Sequence, residues 1–146
     1  MNESLPPGPD PETISQYITT TFPDVDVVSI EGMRFFSLDP DKHWPNFATL
    51  VWSDESDQVS DLSRPGVFRL SMGLDRSSFE RIAKAAGPEP DYAVLDRVLP
   101  HPDYARQRWV AILNPNQSTF AEVVVPLLDE AHARLAAQRA RHSRRL

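Results

Sequence analysis

Four short runs of β-branched and aromatic residues follow one another between Val25 and Met72, and no helical spacing separates them. That succession constrains the fold more than any other feature of the chain. Val25, Val27, Val28 and Ile30 make the first run. Glu31-Gly32 is a short turn, and Arg34–Leu38 returns, so the two runs read as a hairpin. Phe47–Trp52 is a third strand and Val67–Met72 a fourth. Strands in succession, with helices after them, point to an α+β domain with a mainly antiparallel sheet. In the fourth run Phe68, Leu70 and Met72 share one face and Val67, Arg69 and Ser71 the other. The first set is the core face, so Arg69 is expected to look outward across the sheet.

Helical patterns flank these strands. Asp10-Pro11-Glu12 is a helix start, with an N-cap acid and proline at the first helical position. Ile14, Tyr17 and Ile18 follow on one face, and Pro23 ends the helix. A second helix starts at Asp75, or at Ser77 with Glu80 as a capping box, and Gly87-Pro88 stops it. Residues 91–98 read as a short helix with Tyr92, Leu95 and Leu99 on one side. A proline-locked corner at 100–102 delivers a fifth strand, Arg108–Leu113. Thr119-Phe-Ala-Glu122 is a second capping box, and Phe120, Val123, Val124, Leu127, Leu128, Ala131 and Leu135 continue at helical spacing. Pro126 lies inside that pattern and should kink or divide the helix. The expected order is α-β-β-β-β-α-α-β-α: one layer of about five strands packed by helices. Residues 1–10 are a mobile proline-rich lead, 11–135 the single domain and 136–146 a basic tail. The expected core holds Ile18, Val28, Phe36, Leu50, Phe68, Leu70, Phe79, Ile82, Leu95, Val110, Ile112, Leu127 and Leu128.

Composition removes whole classes of chemistry. With no cysteine, disulfides, thiolate catalysis and Cys-based metal centres are excluded. No apolar run approaches a membrane span, and the acidic, polar start is unlike a signal peptide, so a cytoplasmic location is expected. The net charge of −6 is divided unevenly. Residues 1–63 carry twelve acids against Arg34 and Lys42; residues 64–146 carry thirteen bases against nine acids. Such polarity can orient a partner or a second copy of the chain, which leaves room for a homodimer. The arginines between Arg134 and Arg145 could neutralise phosphates. The overall negative charge and the lack of interleaved aromatics argue for a solvated tail instead, and so against nucleic acid.

No P-loop, GxGxxG, GxSxG or His-Glu-x-x-His occurs, and the four histidines do not pair at helical spacing. No catalytic residue, cofactor or metal site is therefore assigned. His101 stands between Pro100 and Pro102, which hold its backbone in a defined place. A histidine so placed can act as base, acid or ligand, with Arg69, Tyr104 and Arg108 as polar partners. The plainer alternative is that His101 caps the short helix or bonds the backbone at a tight corner. Trp44, between His43 and Pro45 in a polar loop, would suit the lip of a binding site; Trp52 and Trp109, at strand ends, are expected in the core.

Three segments carry a family resemblance: Asp61-Leu-Ser-Arg-Pro-Gly-Val-Phe-Arg-Leu-Ser-Met-Gly73, Asp91-Tyr-Ala-Val-Leu-Asp-Arg-Val-Leu-Pro-His-Pro-Asp-Tyr104, and Trp109-Val-Ala-Ile-Leu-Asn-Pro115 with Leu128-Asp-Glu-Ala-His-Ala133. With these the chain resembles an uncharacterised bacterial family, domain of unknown function 6194, along nearly its whole length. That resemblance implies no activity and no catalytic residues. More loosely, the layout is similar to MmcQ/YjbR-like proteins, which implies a small α+β layer. The expected function is a small, soluble, non-catalytic binding or interaction module with an unknown protein or small-molecule partner and no membrane role. The alternatives are a small enzyme or small-molecule binder using His101, and a nucleic-acid binder using the arginine-rich C-terminus.

Overall fold

The computed structural model describes Leu5 and residues 7–38, 46–53 and 59–145, the last four by backbone alone. Helix α1 (Pro11–Thr21) opens the fold; Asp10 caps it by accepting the Thr13 N–H at 2.8 Å. Strands β1 (Val25–Ile30), β2 (Met33–Leu38), β3 (Ala48–Val51) and β4 (Arg69–Gly73) follow in that order. Helix α2 (Arg76–Ala86) is capped by Asp75, not by Ser77, because the Asp75 carboxylate accepts the Ser78 N–H. Then come β5 (Leu99–Pro100), a 3-10 turn (Ala105–Gln107), β6 (Trp109–Leu113) and the C-terminal helical region. The six strands form one antiparallel sheet in the order β1-β2-β3-β4-β6-β5, so the fold is α+β.

Alternation sorts the strand residues onto two faces. Phe36, Leu50, Leu70, Val110 and Ile112 lie on one and are almost fully buried. They meet Ile14 and Ile18 of α1 and, from the C-terminal helix, Val124, Leu127, Leu128 and Ala131. Phe79 and Ile82 of α2 pack against this core while partly buried. Removing a side chain such as Leu128 to its Cβ would cost about 2–5 kcal/mol, the transfer and cavity terms together.

Several expectations need correction. Residues 91–98 are not helical. Asp91 takes the Ala93 N–H on its side chain, a local bond that competes with helix, and Asp96 sits at φ 61°. Asp96 gives its N–H to the Leu113 carbonyl and takes the Asn116 N–H on its carboxylate. This segment of turns and bends leads into β5, a strand beyond the five expected, in place of a helix. The C-terminal helix starts earlier than the Thr119 box: Asn116 caps α3 (Gln117–Thr119) through the Thr119 N–H at 2.7 Å. A π turn (Phe120–Val124) then joins it to α4 (Val125–Arg145). The Val125 N–H reaches back five residues to Phe120, just before Pro126, which has no N–H to give. Proline thus widens the helix and does not divide it, and the basic tail is the last part of α4. The lead is in contact with the body from Pro7, whose carbonyl accepts the Gln117 N–H. Trp52 is 37% exposed, with the Arg34 guanidinium 5.4 Å from its ring centre.

The largest correction concerns the second face. Arg69 and Val67 are each 3% exposed, so neither looks out into water. Residues 59–68 and 91–98 fold over one end of that face, and Leu62, Val67, Val51 and Leu113 form a second small core with Met33 and Leu95 against it. Arg64 joins the two covering segments, donating to the Ser60 and Ala93 carbonyls. The expectation of a solvated outer face failed because this cover comes from irregular segments with no periodic signal.

Candidate functional site

The covered face leaves a cavity of about 470 Å³ beside that second core. Its floor comes from four strands. In register, Phe35 faces Thr49, and Met33, Val51 and Arg69 lie side by side. Trp109 completes the floor from β6, opposite Gly73. The rim is the segment after β5, with His101, Asp103, Tyr104 and Gln107, and Asn46 before β3.

His101 is 3% exposed. Its backbone N–H continues the β5–β6 pairing by donating to the Trp109 carbonyl at 2.9 Å. Its Nδ1 accepts the N–H groups of Asp103 (3.0 Å) and Tyr104 (3.1 Å). A nitrogen that accepts two amides carries no proton, so the neutral ring is protonated at Nε2. These bonds fix the ring and shape the turn that follows. The Tyr104 ring lies 4.8 Å away at 40°, half exposed at the cavity mouth. Both readings of His101 therefore meet in one residue: it holds the backbone of a corner, and it lines a cavity.

Arg69 reaches the site from the centre of the sheet. Its Nη1 donates to the Ser60 hydroxyl at 3.2 Å, which places a cation in the floor. Ser71, two residues along the same face, is 1% exposed, and its hydroxyl has no hydrogen-bond partner among the described residues. Trp109 lies across Gly73: a Cβ there would sit 3.0 Å from Cε2 and Nε1 of the indole. Among the described residues, no group of three or more histidines and acids could hold a metal.

Of the residues singled out in the sequence, His101, Arg69 and Tyr104 line this one cavity. Arg108 does not; it closes the 3-10 turn at φ 66°, its carbonyl accepting the Leu74 N–H. Trp44 lies outside the described residues. Phe35, Thr49, Met33 and Trp109 were missed as site residues. Apolar side chains on both faces of β2 were the available signal, since Met33 and Phe35 had no place in a one-sided core.

No helix among the described residues is long and apolar enough to cross a membrane. No curated protein and no solved structure matches the chain. One family model matches it, over residues 9–145, and its description is a family of unknown function. The chain belongs to that family, DUF6194.

Proposed function

We propose that this chain is a non-catalytic binding protein for a small molecule, held in the cavity between the sheet and the 101–107 segment. What carries the reading is one observation: a cavity of about 470 Å³ on which His101, Arg69 and Tyr104 converge with two further aromatic rings. That volume falls in the range of roughly 300–1,000 Å³ typical of small-ligand sites, and the mixture of apolar wall and few polar groups is also typical. The rigid setting of His101 favours binding, because a pre-set ring loses little freedom when a ligand arrives. Its Nδ1 is occupied by two amides, which removes that nitrogen as a general base and favours binding over acid–base catalysis.

The test is a fragment screen on the full chain by amide chemical-shift mapping, followed by thermal unfolding with the best hits. Hits should shift Tyr104, Trp109 and Thr49 together. A hit at a hundred times its Kd should add about 2.7 kcal/mol to the unfolding free energy. Hits that cluster away from these residues would overturn the reading. Chemical turnover of a bound compound would shift it to an enzyme using His101.

A further inference from the structure

The two edges of the sheet are not alike. β5 ends it on one side with two residues, one of them Pro100, which has no N–H to offer. β1 ends it on the other side with six residues. Sheet edges are usually protected by shortness, proline, lysine or a bulge. β1 has none of these: its register with β2 runs unbroken from Val25 to Ile30, and the strand holds neither proline nor lysine. Val25, Val27, Val28 and Ile30 are apolar and β-branched. Ile30, at 57% exposure, is the most exposed large apolar side chain among the described residues. The backbone gives this edge its chemistry. Glu31-Gly32 closes the hairpin, so Ile30 and Met33 form a bonded pair, and bonded and unbonded pairs alternate from there. Asp26, Val28 and Ile30 therefore bond to β2, while Val25, Val27 and Ser29 turn their N–H and C=O groups outward. The Val25 N–H is taken by the Phe22 carbonyl at 3.3 Å. The outward groups of Val27 and Ser29 have no backbone partner among the described residues. Another extended strand is the occupant that offers donors and acceptors at this spacing.

Charge decides which strand. Val25 and Val27 pack on the main core, so Asp26 stands on the second face with Val28 and Ile30, and Ser37 is its cross-strand neighbour on β2. The Asp26 carboxylate makes no ion pair among the described residues, and its Oδ2 is shielded from water without a hydrogen-bond partner. Residues 22–33 contain Asp24, Asp26 and Glu31 and no lysine or arginine. A second copy laid on this edge would bring acids against acids, which is unfavourable across a strand pair. The arginine-rich end of the chain is not available as a strand, because it is helical in α4. We infer that β1 accepts an extended segment of a partner protein, added antiparallel to the sheet, with apolar residues facing Val28 and Ile30 and a lysine or arginine facing Asp26. This surface is separate from the cavity, and the inference does not depend on what the cavity holds.

The probe is the capped peptide Thr-Val-Thr-Val-Thr-Arg-Thr, whose valines fall opposite Ile30 and Val28 and whose arginine falls opposite Asp26. A matched peptide carries glutamate in place of arginine. Each is titrated into the full chain at low salt and followed by amide shift mapping and hydrogen exchange. The arginine peptide should shift the Val27 and Ser29 amides, slow their exchange, and bind about tenfold more tightly than the glutamate peptide. Asp26→Asn should erase that preference while the same amides still shift. Val27→Pro removes an outward N–H and none of the bonds to β2, so it should abolish binding of both peptides. An arginine peptide N-methylated at the threonine facing Val27 makes the same test on the unaltered protein, even if Val27→Pro fails to fold, and should not bind. Shifts confined to other residues, or no shift with either peptide, would overturn the inference as a whole. Equal binding of the two peptides would overturn the charge assignment. Dimerisation of the chain alone that protects the Val27 and Ser29 amides would overturn the partner in favour of a second copy.

Discussion

Asn114 offers a quantitative test of how the cover over Arg69 is held. It follows β6 at φ 42° and is 6% exposed. Its Oδ1 accepts the Phe68 N–H, and its Nδ2 donates to the Gly66 carbonyl, both at 3.0 Å. One side chain thus supplies the pairing that a longer β6 would have given to residues 66–68. Asn114→Ala strands the buried Phe68 N–H, at a cost of about 1–3 kcal/mol. The Gly66 carbonyl is only part-buried, and its loss adds about 0.5–1.5 kcal/mol. Alanine in a left-handed conformation adds roughly 1 kcal/mol more. The expected loss is roughly 3–5 kcal/mol for alanine. Asn114→Gly loses both bonds but not the backbone term, so it should be the more stable of the two variants. That order inverts the usual ranking of alanine over glycine. Urea unfolding with linear extrapolation measures both. An alanine variant within about 1 kcal/mol of the parent, or a glycine variant less stable than alanine, would refute the account.

Two further expectations follow from local bonds. The Thr13 backbone N–H holds the Asp10 carboxyl below its ordinary pKa, and the Ser78 backbone N–H does the same for Asp75. The unfolded chain therefore takes up these protons first as pH falls. The caps stabilise fully above about pH 4, and their contribution is lost as pH drops through the lower folded values. The double variant Asp10→Asn, Asp75→Asn keeps the acceptors and should show a shallower loss of stability below about pH 4; an unchanged acid slope would contradict the assignment. At the rim, His101→Ala orphans two amides and should cost about 1–3 kcal/mol, whereas His101→Asn keeps an acceptor near the Nδ1 position and should cost less. Thermal unfolding reads both, and an alanine variant as stable as the parent would count against the Nδ1 bonds.

How much was legible in the sequence depended on whether the signal was periodic. The hairpin, the α1 and α2 starts and most of the inner core could be read because alternation and helical spacing repeat over several residues; Val28 pairs with Phe35 on the second face and Leu95 packs against the second small core, so neither belongs to the interior expected for it. His101 stood out because two prolines flank it. Arg69 was found on the correct face of β4 but assigned to solvent, since alternation says which residues share a face and not what covers that face. The cover is made of bonds such as Arg64 to Ala93 and Asn114 to Phe68, which span 29 and 46 residues and leave no local pattern. The 91–98 segment misled for the opposite reason: Tyr92, Leu95 and Leu99 imitate a helical face, while Asp91 and Asp96 tie the backbone into another shape. Phe35 and Thr49 were invisible as site residues because they become neighbours of Trp109 only after four strands have paired.

The period-two alternation of β2, β3 and β4 also separates two kinds of change. Phe36, Leu50 and Leu70 belong to the helix-packed interior, and their immediate neighbours Phe35, Thr49 and Arg69 belong to the cavity. A substitution at one parity reshapes the cavity and the small core beside it; at the other it disturbs the main interior. Because the two sets interleave along the same backbone without sharing side-chain contacts across it, the recess can be recut one residue at a time. On the binding reading proposed above, members of this family would recut the cavity while keeping a common interior, and their differences should concentrate at every second position of these three strands.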